Sequence, residues 1–344
     1  MKIVLASSFV PFVHGGARFI VEWLEEKLRE HGHEVERFYL PVVDGPEDIL
    51  SQAALFRMMD LSEAGDRLIA FRPPAYVLPH PNKVLWFIHH IRMYYDLWGQ
   101  PHSPEPTLAN EAVRQALKQL DTRTLAEAQK IYTNSQVVSR RLQDFNGLAS
   151  EPLYPPLHQP ERFFNAGYGS DIVVVSRVEP HKRQALLIEA MAHVRSPVRL
   201  RLCGRASAPA YAEQLKRKID ALGVQSRVVF EDRWITEDEK AKIIADALAV
   251  AYLPQDEDSY GYPSLEAAHA DKAVITTRDA GGVLELVEDG RNGFVAAPDP
   301  LALAEAFDQL YRDRALAERM GRENQARVRE LKIDWNHVVQ ALTT

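Results

Sequence analysis

The chain reads DIVVVSRVEPHKRQALLIEAMAHVRSPVRLRLC over residues 171–203. A short apolar run at Ile172–Val175 leads through a polar loop to Arg183–His193, where the apolar residues are spaced as in a helix. A second apolar run follows at Val198–Cys203. Strand, loop, helix and strand in this order form a βαβ unit, from which doubly wound parallel sheets are built. The stretch therefore predicts an α/β domain.

The amino-terminal part of the chain has the same order of elements. Lys2–Ser7 is an apolar run, Ala17–His31 has helical spacing, and Glu34–Leu40 has the composition of a second strand. We interpret the first run as a buried strand and not as a leader peptide, because charged, helix-like sequence follows it closely. Further strands are predicted at Arg67–Phe71, Lys83–Ile88, Lys130–Thr133, Val228–Glu231, Val250–Leu253 and Ala273–Thr276.

The elements divide into two consecutive Rossmann-like halves. Asn165–Ser170 consists of small and polar residues, which is typical of a linker. We predict an amino-terminal domain over 1–166 and a carboxy-terminal domain over 167–330, facing each other across a cleft. A final helix is predicted within 331–344, and the sequence leaves open whether it crosses back to the first domain.

Composition narrows the class of protein. The 344 residues are 46% hydrophobic and 26% charged, as in a globular enzyme with more than one core. The net charge of -7 does not favour a nucleic-acid partner. Cys203 is the single cysteine, which excludes disulfides within the chain and a cysteine-rich metal site. With no apolar run of about 18 residues, we expect a cytoplasmic protein with at most peripheral membrane contact.

Two cations follow the strand at Ile172–Val175. Arg177 and Lys182 lie between this strand and the next helix, where backbone N–H groups at the start of a helix favour anions. A guanidinium fork and an ammonium point charge together suit a diphosphate. The alternative is a solvated loop with ordinary surface charges.

A second polar stretch reads DSYGYPSLE over residues 258–266. Asp258 and Glu266 are separated by a glycine-containing turn, and a helix is predicted to open near Pro263. A carboxylate beside the start of a helix can accept hydrogen bonds from sugar or ribose hydroxyls. The alternative is a helix start with acids favoured by the helix dipole.

Both stretches resemble signature elements of the large retaining glycosyltransferase family that includes sucrose synthase and bacterial lipid mannosyltransferases, which has the GT-B fold. The family pattern Gly-Arg-Leu, followed by Lys-Gly, corresponds here to Ser176-Arg177-Val178 and Lys182-Arg183, with both glycines replaced. The family's Glu-x7-Glu motif corresponds to Asp258 and Glu266, with aspartate in the first place. Further matches are His14-Gly15-Gly16-Ala17, Gly32-His33-Glu34-Val35, Asn134-Ser135, Tyr154-Pro155-Pro156-Leu157 and Asp279-Ala280-Gly281-Gly282.

The resemblance implies a role for each matching residue. Arg177 and Lys182 would bind the donor diphosphate, Glu266 the ribose hydroxyls, and Asp258 the sugar hydroxyls. Gly15 and Gly16 would allow a close backbone approach to the phosphates, and His89 would lie near the reacting sugar carbon. The donor cradle would be completed by the backbone of Gly261, Tyr262, Pro263, Ser264 and Leu265.

The implied activity is retaining transfer of a hexosyl group from a UDP- or GDP-sugar to an acceptor hydroxyl, in bacterial glycan or glycolipid synthesis. The acceptor would be a carbohydrate, a lipid-linked molecule or a small molecule. No cofactor and no metal are expected, because the cations would neutralise the leaving group. A sugar-nucleotide epimerase, a phosphorylase on the same fold and an inactive sugar-nucleotide binding protein remain alternatives. A nicotinamide dehydrogenase is disfavoured, because neither half has Gly-x-Gly-x-x-Gly after its first strand.

Overall fold

The structure is a computed structural model that describes residues 1–12, 16–43, 48–101 and 103–344. The chain forms two compact units, one made of Met1–Pro155 with Ile333–Thr344 and the other of Pro156–Lys332. Within the described ranges, no helix has both the length and the low charge that a bilayer crossing requires.

The first unit is built on a parallel sheet of six strands in the order β2-β1-β3-β4-β5-β6. Helices cover both faces of the sheet, and each face contributes to a separate apolar core cluster. The elements are β1 (Lys2–Phe9), α1 (Gly16–Glu30), β2 (Glu34–Pro41), α2 (Ile49–Arg57), β3 (Arg67–Ala70), β4 (Lys83–Phe87), α3 (Leu108–Leu125), β5 (Lys130–Thr133), α4 (Gln136–Asn146) and β6 (Glu151–Pro152).

The second unit has its own parallel sheet of six strands, in the order β12-β11-β10-β7-β8-β9. Its first strand, β7, therefore lies beside its fourth, β10, and the strand order reverses between them. The elements are β7 (Asp171–Val175), α5 (Gln184–Met191), β8 (Arg199–Cys203), α6 (Pro209–Ala221), β9 (Val228–Glu231), α7 (Glu237–Ala245), β10 (Ala249–Ala251), α8 (Tyr262–His269), β11 (Ala273–Thr277), α9 (Val283–Leu286), β12 (Gly293–Ala296), α10 (Pro300–Arg312) and α11 (Arg314–Glu330).

The last helix, α12 (Trp335–Thr343), belongs to the first unit. Trp335 meets Trp86 of β4 edge to face, with ring centroids 6.4 Å apart. Arg67 Nη1 donates to the carbonyl oxygen of Leu342 at 2.8 Å, and the Tyr132 hydroxyl donates to that of Ala341 at 3.0 Å. Helix α12 thus packs into the same apolar core as β1 and α1.

The predicted α/β class with two Rossmann-like halves is confirmed. The division between the units falls at Pro155 and Pro156, earlier than the boundary after 166 that composition predicted. The small, polar stretch after Asn165 is bound to the second unit: Ala166 N donates to Ala245 O at 3.0 Å, and Lys272 Nζ to Asn165 Oδ1 at 2.9 Å. Its composition resembles a linker, but these hydrogen bonds give it a fixed place.

Candidate functional site

The carboxyl ends of β7 and β10 bring the two predicted motifs of the second unit together. In doubly wound sheets, ligands bind at the point where the strand order reverses, outside the carboxyl ends of the strands. The loop after β7 carries Arg177 and Lys182, and the loop after β10 leads to Asp258 and Glu266. Lys182 joins the two loops directly, because its Nζ donates to the Tyr252 hydroxyl at 2.7 Å.

Lys182 is held in a fixed place at this edge of the sheet. The residue is buried, its ammonium also donates to the Glu257 carboxylate, and it lies 4.9 Å from the centroid of the Tyr252 ring. Burial, and then the nearby Glu257 carboxylate, raise the pKa of Tyr252 well above its ordinary value. Tyr252 is therefore neutral, and Glu257 is the carboxylate that balances the charge of Lys182.

Arg177 differs from Lys182 in its exposure. Its side chain is 59% exposed, and Nη1 pairs with Glu179 Oε1 at 2.8 Å. Glu179 also accepts a hydrogen bond from the Ser207 hydroxyl at 2.6 Å, so the loop after β7 is tied to the loop after β8. The two cations thus offer one accessible guanidinium and one buried ammonium.

Arg183 occupies a backbone conformation that normally favours glycine. Its φ is +55°, in the left-handed region, at the position where the family pattern has the glycine of Lys-Gly. Its guanidinium donates to the carbonyl oxygens of Leu253 (2.9 Å) and Pro254 (2.6 Å), and pairs with Asp279 at 2.8 Å. These bonds join the start of α5 to the loop after β10, so the side chain offsets the strain of the backbone.

The start of α8 requires glycine for two reasons. Gly261 has φ +69°, and a Cβ there would lie 2.3 Å from Cε1 of Tyr252. The α8 backbone therefore packs directly on the ring that holds Lys182. From this start the predicted cradle continues through Tyr262, Pro263, Ser264 and Leu265, of which Ser264 and Leu265 are fully buried.

Glu266 is buried in α8 with one oxygen bound and one not. The residue is 4% exposed, and Oε1 accepts a hydrogen bond from Lys240 Nζ at 2.5 Å. Oε2 has no hydrogen-bond partner among the residues that the structure describes. Burial raises the pKa of the Glu266 carboxyl above its ordinary value, although the Lys240 ammonium opposes this effect. A buried acceptor without a donor is costly, so a ligand with hydroxyl groups would relieve it.

Asp258 lies in a loop that is fixed by the segment after β11. Asp256 N donates to Asp279 O at 2.9 Å, and Gly282 N donates to Glu257 O at 2.8 Å. A Cβ at Gly281, where φ is +67°, would lie 2.4 Å from Glu257 O, so the two backbones meet in van der Waals contact. The matching block at 279–282 therefore serves to place the loop that carries Asp258, whose residue is half-buried.

The first unit carries the remaining predicted residues. His89 is half-buried two residues beyond the end of β4, and its Nδ1 donates to the carbonyl oxygen of His90 at 2.6 Å, which sets its tautomer. His90 is buried against Asn146 Oδ1 at 2.8 Å, and burial lowers its pKa to about 4. Gly16 begins α1, whereas His14 and Gly15 lie outside the described residues.

Three side chains of the site were not predicted from the sequence. No local sequence pattern points to Tyr252, which follows the end of β10, or to Lys240, which lies within α7, a helix of ordinary composition. Glu257 lies next to Asp258, which was predicted as a site residue, and its carboxylate pairs with Lys182. The position of Glu257 beside Asp258 is the only sequence signal that points to any of these three side chains.

Comparison with known proteins finds a family model that matches most of the second unit. Residues 163–327 match the model of "Glycosyl transferases group 1". This segment is a glycosyl transferases group 1 domain. It covers most of the second unit and includes Arg177, Lys182, Asp258 and Glu266.

Curated relatives match parts of the chain. The alpha-1,3/1,6-mannosyltransferase ALG2 of Dictyostelium discoideum is 31% identical over 134 residues, which are 39% of this chain and 31% of the relative. The alpha-maltose-1-phosphate synthase of Mycolicibacterium smegmatis is 28% identical over 208 residues, 57% of this chain and 53% of the relative. The matched part of the chain thus spans from about a third to about half the length of these relatives.

Solved structures match the chain over nearly its whole length. Anabaena Alr3699/HepE in complex with UDP has a TM-score of 0.72 at 21% identity and covers 99% of this chain and 98% of that one. Sucrose-phosphate synthase from Thermosynechococcus elongatus has a TM-score of 0.78 at 16% identity, with coverages of 99% and 97%. WaaG, a glycosyltransferase involved in lipopolysaccharide biosynthesis, has 0.74 at 15%, with both chains fully covered. These neighbours confirm the predicted GT-B fold.

Proposed function

We propose that the protein is a retaining hexosyltransferase that moves a sugar from a nucleotide-diphosphate sugar to an acceptor hydroxyl. One observation carries this proposal above the others. Two cations and a buried carboxylate lie at the same edge of one sheet, at the carboxyl ends of β7 and β10. One oxygen of this carboxylate has no hydrogen-bond partner within the described part of the chain. A diphosphate and a ribose present the matching groups, which are anionic oxygens and hydroxyl donors.

We assign the donor contacts as follows. Arg177 and Lys182 bind the diphosphate, Glu266 accepts the ribose hydroxyls, and the backbone from Gly261 to Leu265 lines the sugar and phosphate. Asp258 contacts sugar hydroxyls. Glycosyl donors are supported by the names of the relatives, which include a GDP-mannose-dependent mannosyltransferase, and by neighbours described as complexes with UDP and UDP-glucose. We therefore propose a UDP- or GDP-sugar as donor.

The cations also supply the chemistry. Negative charge builds on the leaving diphosphate in the transition state, and fixed cations at that place stabilise it without a metal ion. The departing phosphate can itself accept the proton of the attacking hydroxyl on the same face, so the mechanism needs no dedicated protein base and retains the anomeric configuration. Catalysis then rests on positioning and electrostatics. Gly15, Gly16 and His89 remain predicted donor contacts from the first unit.

The test is a screen for donor binding with matched variants. UDP-, GDP- and ADP-sugars are added to the purified protein, and thermal stabilisation, donor hydrolysis and the affinity for the free nucleotide diphosphate are measured. Arg177→Ala and Lys182→Ala are each expected to weaken diphosphate binding by about 1.5–3 kcal/mol, the value of charge-assisted hydrogen bonds. With a matched acceptor, NMR of the product is expected to show the anomeric configuration of the donor.

Arg199→Ala provides the control. Its side chain is 57% exposed and paired with Asp171, so it matches Arg177 in exposure and pairing, but it lies at the amino ends of β7 and β8. It is expected to bind the nucleotide as the unaltered protein does. Equal binding by all the variants would contradict the assignment of the cations, and an inverted product would contradict retention.

A further inference from the structure

Lys240 is the side chain that holds Glu266. It lies on α7, and its Nζ donates to Glu266 Oε1 at 2.5 Å and to Glu237 Oε2 at 2.9 Å. The side chain is 14% exposed, and its ammonium lies 5.8 Å from the centroid of the Phe163 ring. Burial lowers the pKa of Lys240, but the carboxylates of Glu266 and Glu237 outweigh this effect and raise it overall. Lys240 therefore stays charged beside Glu266.

The helix that carries Lys240 has a fixed beginning. Thr236 and Glu239 form a capping box, in which Thr236 Oγ1 accepts from Glu239 N at 3.2 Å and Glu239 Oε2 accepts from Thr236 N at 3.0 Å. The first turn of α7 is thus ordered by its own residues, and Lys240 follows directly after it. The ammonium reaches Glu266 of α8 from this neighbouring helix.

The contact leaves the two carboxylate oxygens of Glu266 in different situations. Oε1 is bound by Lys240, while Oε2, equally buried, lacks a partner among residues 1–12, 16–43, 48–101 and 103–344. An ionised carboxylate only accepts hydrogen bonds, and an unpaired buried acceptor is costly. Oε2 can therefore accept hydrogen bonds from hydroxyl groups of a ligand, while the ion pair of Oε1 with Lys240 stabilises the buried charge.

We propose that Lys240 is a positioning residue for nucleotide recognition, which keeps Glu266 ionised and turns its Oε2 toward the vicinal ribose hydroxyls of the donor. This inference rests on the proposed function, because it takes the ligand of Glu266 to be a ribose. Lys240 does not touch the nucleotide in this role. It acts through the carboxylate, so its effect depends on hydroxyl groups that it never contacts.

That dependence gives a direct test. Dissociation constants are measured by calorimetry for UDP and GDP and for their 2′,3′-dideoxy analogues. The unaltered protein is expected to prefer the ribonucleotide, and Glu266→Gln to reduce that preference. Lys240→Met is expected to weaken ribonucleotide binding by roughly ten- to a hundredfold, the value of one charge-assisted hydrogen bond, and to leave the affinity for the dideoxy analogue unchanged. Lys240→Arg keeps the charge and is expected to keep most of the preference.

Lys242→Met is the matched control, because Lys242 lies on the same helix but is exposed. It is expected to bind both nucleotides as the unaltered protein does, and thermal unfolding checks that each variant is folded. If Lys240→Met, once folded, keeps the full preference while Glu266→Gln loses it, the inference is overturned and the proposed function stands. If Lys240→Arg loses the preference as completely as Lys240→Met, a role through charge is overturned. A protein that shows no preference for the ribonucleotide overturns the ribose contact itself.

Discussion

Arg183 shows how one side chain can take over the task of a glycine. A left-handed backbone costs a non-glycine residue about 1–2 kcal/mol. Here the cost is offset by hydrogen bonds from the guanidinium to Leu253 O, Pro254 O and Asp279, which connect the start of α5 to the β10 and β11 loops. The replaced glycine of the family pattern is therefore no sign that the loop has another shape.

This account predicts an unusual order of stabilities. Arg183→Ala loses the hydrogen bonds and keeps the strain, and is expected to lower the unfolding free energy of the second unit by about 2–4 kcal/mol. Arg183→Gly loses the same bonds, but glycine adopts the left-handed backbone without strain. It is therefore expected to be about 1 kcal/mol more stable than Arg183→Ala. Urea unfolding of both variants measures the difference. A glycine variant less stable than the alanine variant would show that the strain is not what limits this position.

The helix α8 depends on how closely its first residue approaches β10. The backbone of Gly261 lies against the Tyr252 ring, and Tyr252 in turn accepts the hydrogen bond from Lys182. The helix start, the strand end and the buried cation are thus linked through one aromatic ring. An added methyl group at Gly261 would therefore disturb the position of Lys182 through the Tyr252 ring.

Gly261→Ala is expected to destabilise the second unit by about 2–4 kcal/mol, the sum of overpacking and left-handed strain. It is also expected to weaken nucleotide binding, because a shift of the Tyr252 ring disturbs its hydrogen bond with Lys182. Gly290→Ala is the matched control: its φ is +72°, close to that of Gly261, but nothing lies within 4 Å of a Cβ placed there. It is expected to cost only about 1 kcal/mol and to leave binding unchanged. Equal costs at the two positions would refute the contact with Tyr252.

The first unit is assembled from both ends of the chain. Trp335, Val338, Val339 and Leu342 of α12 are buried in the same cluster as Leu24 and Trp86. Full burial of an apolar side chain of this size contributes about 1.5–3 kcal/mol, so α12 supplies a large part of the stability of a small core. The second unit has a separate core to which α12 does not belong.

A chain that ends at Lys332 should therefore lose order in the first unit alone. We expect limited proteolysis to degrade 1–155 quickly and to leave a resistant fragment of about 156–332, because only the first core is opened. Tryptophan fluorescence should shift to the red as Trp86, fully buried in the intact unit, becomes hydrated. Removal of Thr344 alone serves as the control and is expected to change neither. Equal resistance of both units after truncation would contradict the separate cores.

Local pattern was sufficient for most of the elements. The predicted strands Lys130–Thr133 and Val228–Glu231 have the bounds that the structure shows, and the helix predicted at Ala17–His31 is observed at Gly16–Glu30. These succeed because apolar spacing records which face of an element is buried. The helix α4 at Gln136–Asn146 was missed, although Ser135 caps it and Gly147 ends it in the left-handed region. Its buried Val138 and Leu142 are four residues apart, as on one face of a helix, so the local pattern was present and was overlooked.

Sequence by itself determined the α/β class, the two Rossmann-like halves and the choice of Arg177, Lys182 and Glu266 as candidates. Periodicity does not say which distant residues meet, and only the tertiary structure decided that Lys182 lies against Tyr252, 70 residues away, and Lys240 against Glu266, 26 residues away. It also decided that the stretch after Asn165 is bound to the second unit. Such contacts depend on the order of strands in the sheet, and strand order is set by the packing of whole elements and not by the local spacing of side chains.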